Sequence, residues 1–541
     1  MASPSLVEML LAILSALLRV LLCLGCAYNV FLFSHRALLH PLASYPGPAA
    51  ATLTDAYSAI HALRRRLHLF ILEAHKTYGP VVRIAPNRLV FNTPAAVRDI
   101  YQNERITKSY LYLLSQQTPN TYNVFNAVPR EVHQARRKLI GRVVNDSSMR
   151  KFESTMLDHV EIFVEQLRSG TTSSQRSRSG NNENRKCSIN MTERCRYLGI
   201  DIATSLGFGQ SLNLQTDPTY RFLLKSMDYG AYNGSVQLSF PFLAKLRTRA
   251  IMNIIFFKTR LAAFRKIESM INARLAQDKD AHHDLYSAVA DSLGTGPEQI
   301  RQSDLWSEAL FFLSAGGDTT STAIAGAFFY LSRNHESYIK LSSEIRSTFA
   351  SSSEIRNGHK LANCTYLRAC IDESLRMSPP VTGTLWRELY AHEKSDSSMP
   401  FVVDGHVVPP GAQVGVNIYA LHHNPEYFPE PFSYRPERWL VSADDSDGAK
   451  AKGSMKEAFI PFSTGPRGCA GKAMAYLETS LVLAKTLWHF DFSAVPGSLG
   501  DVGAGRKGTS GGRDRVEEFQ LYDTFGANHN GPYLEFIARD E

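Results

Sequence analysis

One stretch constrains this chain more than any other: Phe462-Ser463-Thr464-Gly465-Pro466-Arg467-Gly468-Cys469-Ala470-Gly471, with an apolar run from Ala473 to Leu487 directly behind it. Glycines let a backbone turn tightly and approach a flat ligand closely. The apolar run predicts a helix, and the first turn of a helix carries unpaired N–H groups and the positive end of its dipole. That end would face the Cys469 sulfur, and Arg467 adds a cation two residues before it. Both features favour a thiolate, the ligating form of cysteine. The alternative is an inert cysteine buried in a turn, the common fate of a lone thiol.

The chain has 541 residues, 44% hydrophobic and 20% charged, which describes a globular protein with a large core. A net charge of +8 is spread diffusely, apart from the cluster Arg64-Arg65-Arg66. No basic stripe interleaved with aromatics is present, so nucleic acid is excluded as the expected partner. An acidic protein surface or an anionic lipid suits the basic excess better. The seven cysteines are odd in number and irregular in spacing, which argues against a disulfide framework and for a reducing compartment.

Residues 1–36 read as an N-terminal membrane anchor. Leu6 to Phe33 is apolar except for Glu8 and Arg19, and about 20 such residues span a bilayer. A cleaved signal peptide fits less well, since Met1 to Leu10 carries Glu8 and no basic residue. Residues 37–50, with His40-Pro41-Leu42-Ala43-Ser44-Tyr45-Pro46-Gly47-Pro48, read as a Pro/Gly hinge and semi-rigid spacer. Residues 51–541 read as one mostly helical catalytic domain with a minor β part. A helical run is expected from Ala56 to Tyr78, strands at Val81–Pro86 and Arg88–Phe91, and a helix from Pro94 to Asn103. Polar, glycine-rich tracts at 169–186 and 496–515 read as flexible insertions.

Further along, Ala315-Gly316-Gly317-Asp318-Thr319-Thr320 interrupts a long apolar helix expected from about Ser303 to Arg333. Paired glycines cost roughly 1 kcal/mol each in a helix, and the Asp and Thr side chains compete for its hydrogen bonds. The reading is a bend that opens a groove, or a kink at tight helix packing. Glu373-x-x-Arg376 sets an acid and a base one helical turn apart, and Phe432-Ser433-Tyr434-Arg435-Pro436-Glu437-Arg438-Trp439 supplies a further arginine. His133-Gln134-Ala135-Arg136-Arg137 and Arg387 offer additional basic groups.

These motifs, in this order, resemble the cytochrome P450 family of haem-thiolate monooxygenases. The anchor, the Pro-Gly hinge and the His133-x-x-x-Arg137 variant are similar to fungal microsomal members. The resemblance implies a mainly α cytochrome P450 fold behind one N-terminal transmembrane helix. It implies haem b with Cys469 as axial iron ligand in a loop shaped by Phe462, Gly465, Arg467 and Gly471, and His133, Arg137 and Arg387 on the propionates. Asp318 and Thr319 would handle protons on the distal face. Glu373, Arg376 and Arg438 would form a buried structural network; Tyr434 stands where many relatives carry Phe. Phe311–Ala315, Pro380–Thr384, Tyr110–Tyr122, Met227–Pro241 and Tyr522–Phe525 would line a pocket for a small apolar substrate.

The implied reaction is insertion of one atom of O2 into that substrate, by hydroxylation or epoxidation, in fungal secondary metabolism. Electrons would come from NADPH through a separate reductase, with cytochrome b5 as a possible second donor. The implied location is the endoplasmic reticulum membrane with the catalytic domain in the cytosol. Two rivals share the motifs: a haem-thiolate isomerase or dehydratase that needs no external electrons, and a non-catalytic haem-binding protein. Intact Asp318 and Thr319 argue against the first.

Overall fold

The computed structural model describes residues 6–116, 120–177, 188–246, 257–290, 301–390, 399–440 and 446–539. The helices that matter for the site are α1 (Leu6–Ser34), α2 (Arg130–Val143), α3 (Met191–Phe208), α4 (Phe222–Ser239), α5 (Gln302–Leu331), α6 (Thr365–Met377) and α7 (Lys472–His489). Strands β1 (Val81–Ala85), β2 (Arg88–Phe91), β3 (Ile106–Lys108), β4 (Arg387–Leu389) and β5 (Gln413–Val416) form one sheet in the order β1-β2-β5-β4-β3. Phe490–Ala494, Tyr533–Ala538 and Ile189–Asn190 make a second, small sheet.

The main core gathers around α5, whose Ile324 to Leu331 half is buried against α3, α6 and α7. The glycine pair does not break this helix, which runs through it without interruption. Its function is close packing: a Cβ on Gly317 would stand 2.4 Å from Ile200 Cδ1, and one on Gly199 would stand 2.6 Å from the Gly317 carbonyl oxygen. Small residues on both helices let two backbones approach where larger ones would clash.

The helical run expected from Ala56 to Tyr78 is two helices, Ala56–Leu63 and Leu67–Tyr78. Arg65, at φ 52°, turns the chain between them. The Pro/Gly segment is docked and does not hang free as a spacer. Leu42 is fully buried, Arg83 N donates to Pro46 O at 2.8 Å, and Tyr45 OH donates to Val407 O at 3.0 Å. Behind it, α1 continues as a π-helical turn over His35–Leu39, and the buried Arg83 guanidinium donates to Arg36 O at 3.1 Å. The region Val7–Leu39 is the one stretch among the described residues long and apolar enough to cross a membrane.

Of the tract 169–186, the helix Asp146–Ser177 covers the start, and 178–186 lies outside the described residues. The tract 496–515 is a series of turns fastened to the body. Within it Arg513 donates to Leu521 O at 2.8 Å, and Arg515 pairs with Glu518 at 2.5 Å.

Glu373 joins α6 to the segment leading toward Cys469. Arg376 holds both its oxygens, at 2.9 and 2.8 Å, and Arg438 Nε and Trp439 Nε1 each donate at 3.0 Å. Arg376 also donates to His422 O at 3.0 Å, and Ile460 N donates to His422 Nε2 at 2.9 Å, two residues before Phe462. Burial and Arg376 push the His422 pKa down to about 3, so the ring stays neutral and its Nε2 remains an acceptor.

Burial alone would raise the Glu373 carboxyl, but Arg376 and Arg438 more than reverse this and hold it below its ordinary 4.5. A depressed carboxylate stabilises the fold above its unfolded pKa and loses that contribution as pH falls through the folded value. Glu373→Gln is therefore expected to cost about 3 to 5 kcal/mol at neutral pH, because it strands buried guanidinium charge. Denaturant unfolding at pH 7 and again below pH 4 should show the gap to wild type shrinking in acid.

Candidate haem-thiolate site

The Cys469 loop is shaped by backbone contacts. Cys469 N donates to Phe462 O at 2.8 Å and Gly468 N to Gly465 O at 3.0 Å. Gly465 has φ 70°, and a Cβ there would fall 2.0 Å from Tyr101 O, so only glycine fits. Gly471 differs: a Cβ on it meets nothing within 4 Å, so no side chain crowds this end of the loop. Phe462 packs on Tyr476 of α7, and the cysteine is exposed.

Arg467 does not face the sulfur, contrary to expectation. It turns away to donate to Val128 O at 2.9 Å, to Thr107 Oγ1 and to Tyr390 OH at 3.3 Å, and it also bonds Ala127 O. The protein packed around Cys469 raises its thiol pKa, and the Gly471 N–H, Arg137 and Lys472 only partly offset this. The loop on its own thus favours a thiol, and a metal ion would supply the missing positive charge.

Beside the loop lies a concentration of buried positive charge. Arg137 of α2 donates to Gly468 O at 2.7 Å and ties that helix to the cysteine loop. His133, one turn earlier, is buried; desolvation and the charges of Arg467, Lys108, Arg137 and Arg387 push its pKa down to about 2. Lys108 and Arg387 are directly opposed across the antiparallel β3/β4 pair, both buried. Like charges so placed repel, and burial followed by Arg387 and Arg467 drives the Lys108 amine well below its usual range. Among the described residues Lys108, Arg137, Arg387 and Arg467 bond backbone carbonyls and hydroxyls and form no ion pair with an acid. Such a cradle is complementary to a ligand carrying carboxylates.

Asp318 and Thr319 sit on successive positions of α5. Thr319 Oγ1 donates back to Ala315 O at 2.6 Å, so to donate toward a ligand it must release that carbonyl. Asp318 is held by Arg196 of α3 at 2.8 Å, and the same guanidinium clasps Asp228 of α4 at 2.6 Å. Burial raises the Asp318 pKa, and Arg196 restrains the rise.

The segments expected to line a pocket meet in part. Phe125 stacks on Phe311 with centroids 5.3 Å apart and contacts Phe525 at 4.9 Å and Tyr112 at 5.1 Å. Ala527 N donates to Pro380 O at 2.7 Å, and Gly383 abuts Asp523. Met227–Pro241 behaves differently: Tyr232 OH donates to Leu63 O at 2.9 Å and Arg88 bonds Leu238 O at 2.7 Å, so this segment leans on the N-terminal helices and β2. Residues 117–119 of the Tyr110–Tyr122 loop lie outside the described residues. Lys108, Phe125, Arg196 and His422 carry no local sequence signal, and Trp439 reads as part of the Pro436-Glu437-Arg438-Trp439 motif without its bond to Glu373.

The family model for cytochrome P450 matches residues 51–500. The cytochrome P450 monooxygenase AKT7 of Alternaria alternata is 34% identical over 96% of this chain and 97% of its own length. The cytochrome P450 monooxygenase apf7 of Gibberella fujikuroi is 33% identical over 95% and 97%, and poxM of Penicillium oxalicum is 33% identical over 95% and 94%. The chain belongs to the cytochrome P450 family. It is an enzyme of the monooxygenase class for which these relatives are named, and membership implies a haem cofactor.

The residues present fit that group. Haem carries two propionates, which Arg137, Arg387 and their basic neighbours would neutralise, and iron, which the exposed Cys469 sulfur would ligate.

Lys108→Met is expected to act in opposite directions on the empty and loaded protein. Removing one buried like charge should raise the Tm of apoprotein. Losing a charged partner of the propionates should speed haem loss about tenfold, the value of one charged hydrogen bond. Haem transfer to apomyoglobin and thermal unfolding of apoprotein measure the two effects.

Proposed function

We propose that this protein inserts one atom of O2 into a small apolar substrate, by hydroxylation or epoxidation, using electrons from NADPH delivered by a separate reductase, with cytochrome b5 as a possible second donor. The observation that carries this reading is the cluster of Lys108, Arg137, Arg387 and Arg467, unpaired with any acid among the described residues, around the neutral ring of His133 and beside the exposed Cys469. Bound there with a thiolate ligand, haem b supplies O2 activation, since the thiolate pushes electron density that favours O–O cleavage.

The chain's own residues do the rest. Arg137 and Arg387 fix the propionates and hence the orientation of the ring. Arg137 and Lys472 favour the ionised Cys469 sulfur. Thr319 exchanges its bond to Ala315 O for one toward the reacting oxygen, and Asp318 passes protons inward when Arg196 loosens its hold. The apolar walls of Phe125, Phe311 and Phe525 exclude bulk water, so protons arrive by this ordered route.

The fungal sources of the relatives and the style of the hinge support a place in secondary-metabolite biosynthesis. The exposed apolar α1 supports a single-pass anchor in the endoplasmic reticulum membrane, with the catalytic domain in the cytosol.

Two variants test the assignment. Cys469→Ser should lose the red-shifted Soret band of the reduced, carbon monoxide-bound protein together with product formation. An unchanged band would remove Cys469 from the iron. Thr319→Ala should keep that band, lower product formation about 10²-fold and release NADPH electrons as hydrogen peroxide. Tight coupling in this variant would take Thr319 out of proton delivery.

A further inference from the structure

Glu308 is a carboxyl that neither the fold nor the proposed reaction uses. It is fully buried on α5, no side chain hydrogen-bonds either oxygen, and the backbone of Val124 is the one polar group that approaches it among the described residues. An unpaired buried carboxyl costs free energy that a leucine at the same position would not. Eleven residues separate it from Thr319. In an α-helix this places the two about 20° apart around the axis and about 16 Å apart along it. Glu308 therefore stands on the same stripe as Ala315 and Thr319, three turns toward the N-terminus.

The segment 122–125 runs along this stripe. Tyr122 N donates to Asp304 Oδ1 at 3.4 Å, Asn123 Nδ2 to Ser307 Oγ at 3.2 Å, and Phe125 stacks on Phe311. Phe525, whose positive φ of 74° turns it inward, and Tyr112 complete a set of rings around Phe125. This aromatic set already packs against one amino group, because Lys108 Nζ lies 4.8 Å from the Phe125 centroid and 5.5 Å from that of Tyr112. The nearby charges do not satisfy Glu308. Arg136 pairs with Asp304 at 2.7 Å, as does Arg301 at 3.0 Å, and the Lys108 amine is committed to Phe125 O at 2.6 Å.

We infer that Glu308, with the rings of Phe125, Phe311 and Phe525, forms an anchoring subsite for the ammonium group of an elongated substrate with a basic nitrogen, whose far end reaches Thr319. This rests on the monooxygenase reading and narrows its substrate class. An ammonium supplies the missing counterion, and ring faces attract it. Burial raises the Glu308 pKa to about 8, so the empty site carries a proton at neutral pH. An incoming amine takes up that proton, or an incoming ammonium displaces it to solvent, and the ion pair is the same.

Dodecylamine tests this in the ferric holoenzyme. With its nitrogen at Glu308 the chain end displaces water from the iron and the Soret band shifts to the blue; with its nitrogen on the iron the band shifts to the red. The wild type should give the blue shift. Glu308→Leu should give the red shift, or bind at least tenfold more weakly, and Glu308→Gln, which keeps the side-chain shape, should weaken binding likewise. Dodecan-1-ol should bind wild type and variants alike. A red shift in wild type, or equal binding of the amine by wild type and both variants, would overturn the inference. The reduced carbon monoxide spectrum of each protein reports the haem-thiolate centre separately, and its absence from wild type would overturn the underlying reading instead.

Discussion

The structure is organised around repulsion. Lys108 and Arg387 face each other across β3 and β4, with Arg137, Arg467 and the neutral His133 close by, and none of these basic groups forms an ion pair with an acid among the described residues. Such charge stays buried only because the surrounding fold is stable enough to impose it. The sheet order brings β3 and β4 together, Arg137 ties α2 to the cysteine loop, and Arg467 is fastened to the carbonyls of Val128 and Ala127. Haem would turn this liability into binding energy, which couples cofactor loading to the final stability of the domain.

The proximal loop is in turn held from behind by a relay of groups with fixed protonation. Glu373 is kept ionised by Arg376 and Arg438, and burial, helped by Arg376, keeps His422 neutral. The neutral His422 accepts from Ile460, and the chain enters the loop two residues later. Burial and neighbouring charge fix both protonation states, so the loop geometry tolerates pH change until Glu373 itself titrates.

Sequence made legible what is encoded locally. The loop around Cys469, the i, i+3 spacing of Glu373 and Arg376, and the strands at Val81 and Arg88 depend on neighbours a few residues away, and the structure has them at those places. Contacts that depend on topology were hidden. Lys108 gained meaning only when β3 paired with β4. Arg196 reaches Asp318 across more than a hundred residues of sequence. Gly316-Gly317 read as a break because the local cost of glycine is visible, whereas the partner surface at Gly199 and Ile200 is not. Arg467 read as a cation for the sulfur because it is close in sequence, yet the distant carbonyls of Ala127 and Val128 outbid it.

The docked segment behind α1 has a mechanical consequence. Tyr45 is bonded to the hairpin carbonyl of Val407, Pro46 to Arg83, His40 to Asn87 at 2.8 Å, and Arg36 lies under the Arg83 guanidinium. A helix fastened this way acts as a mast stepped into the hull, not a tether. Where α1 crosses a bilayer, its tilt sets the attitude of the whole domain, and lipid thickness becomes a steering input to which face of the enzyme meets the lipid.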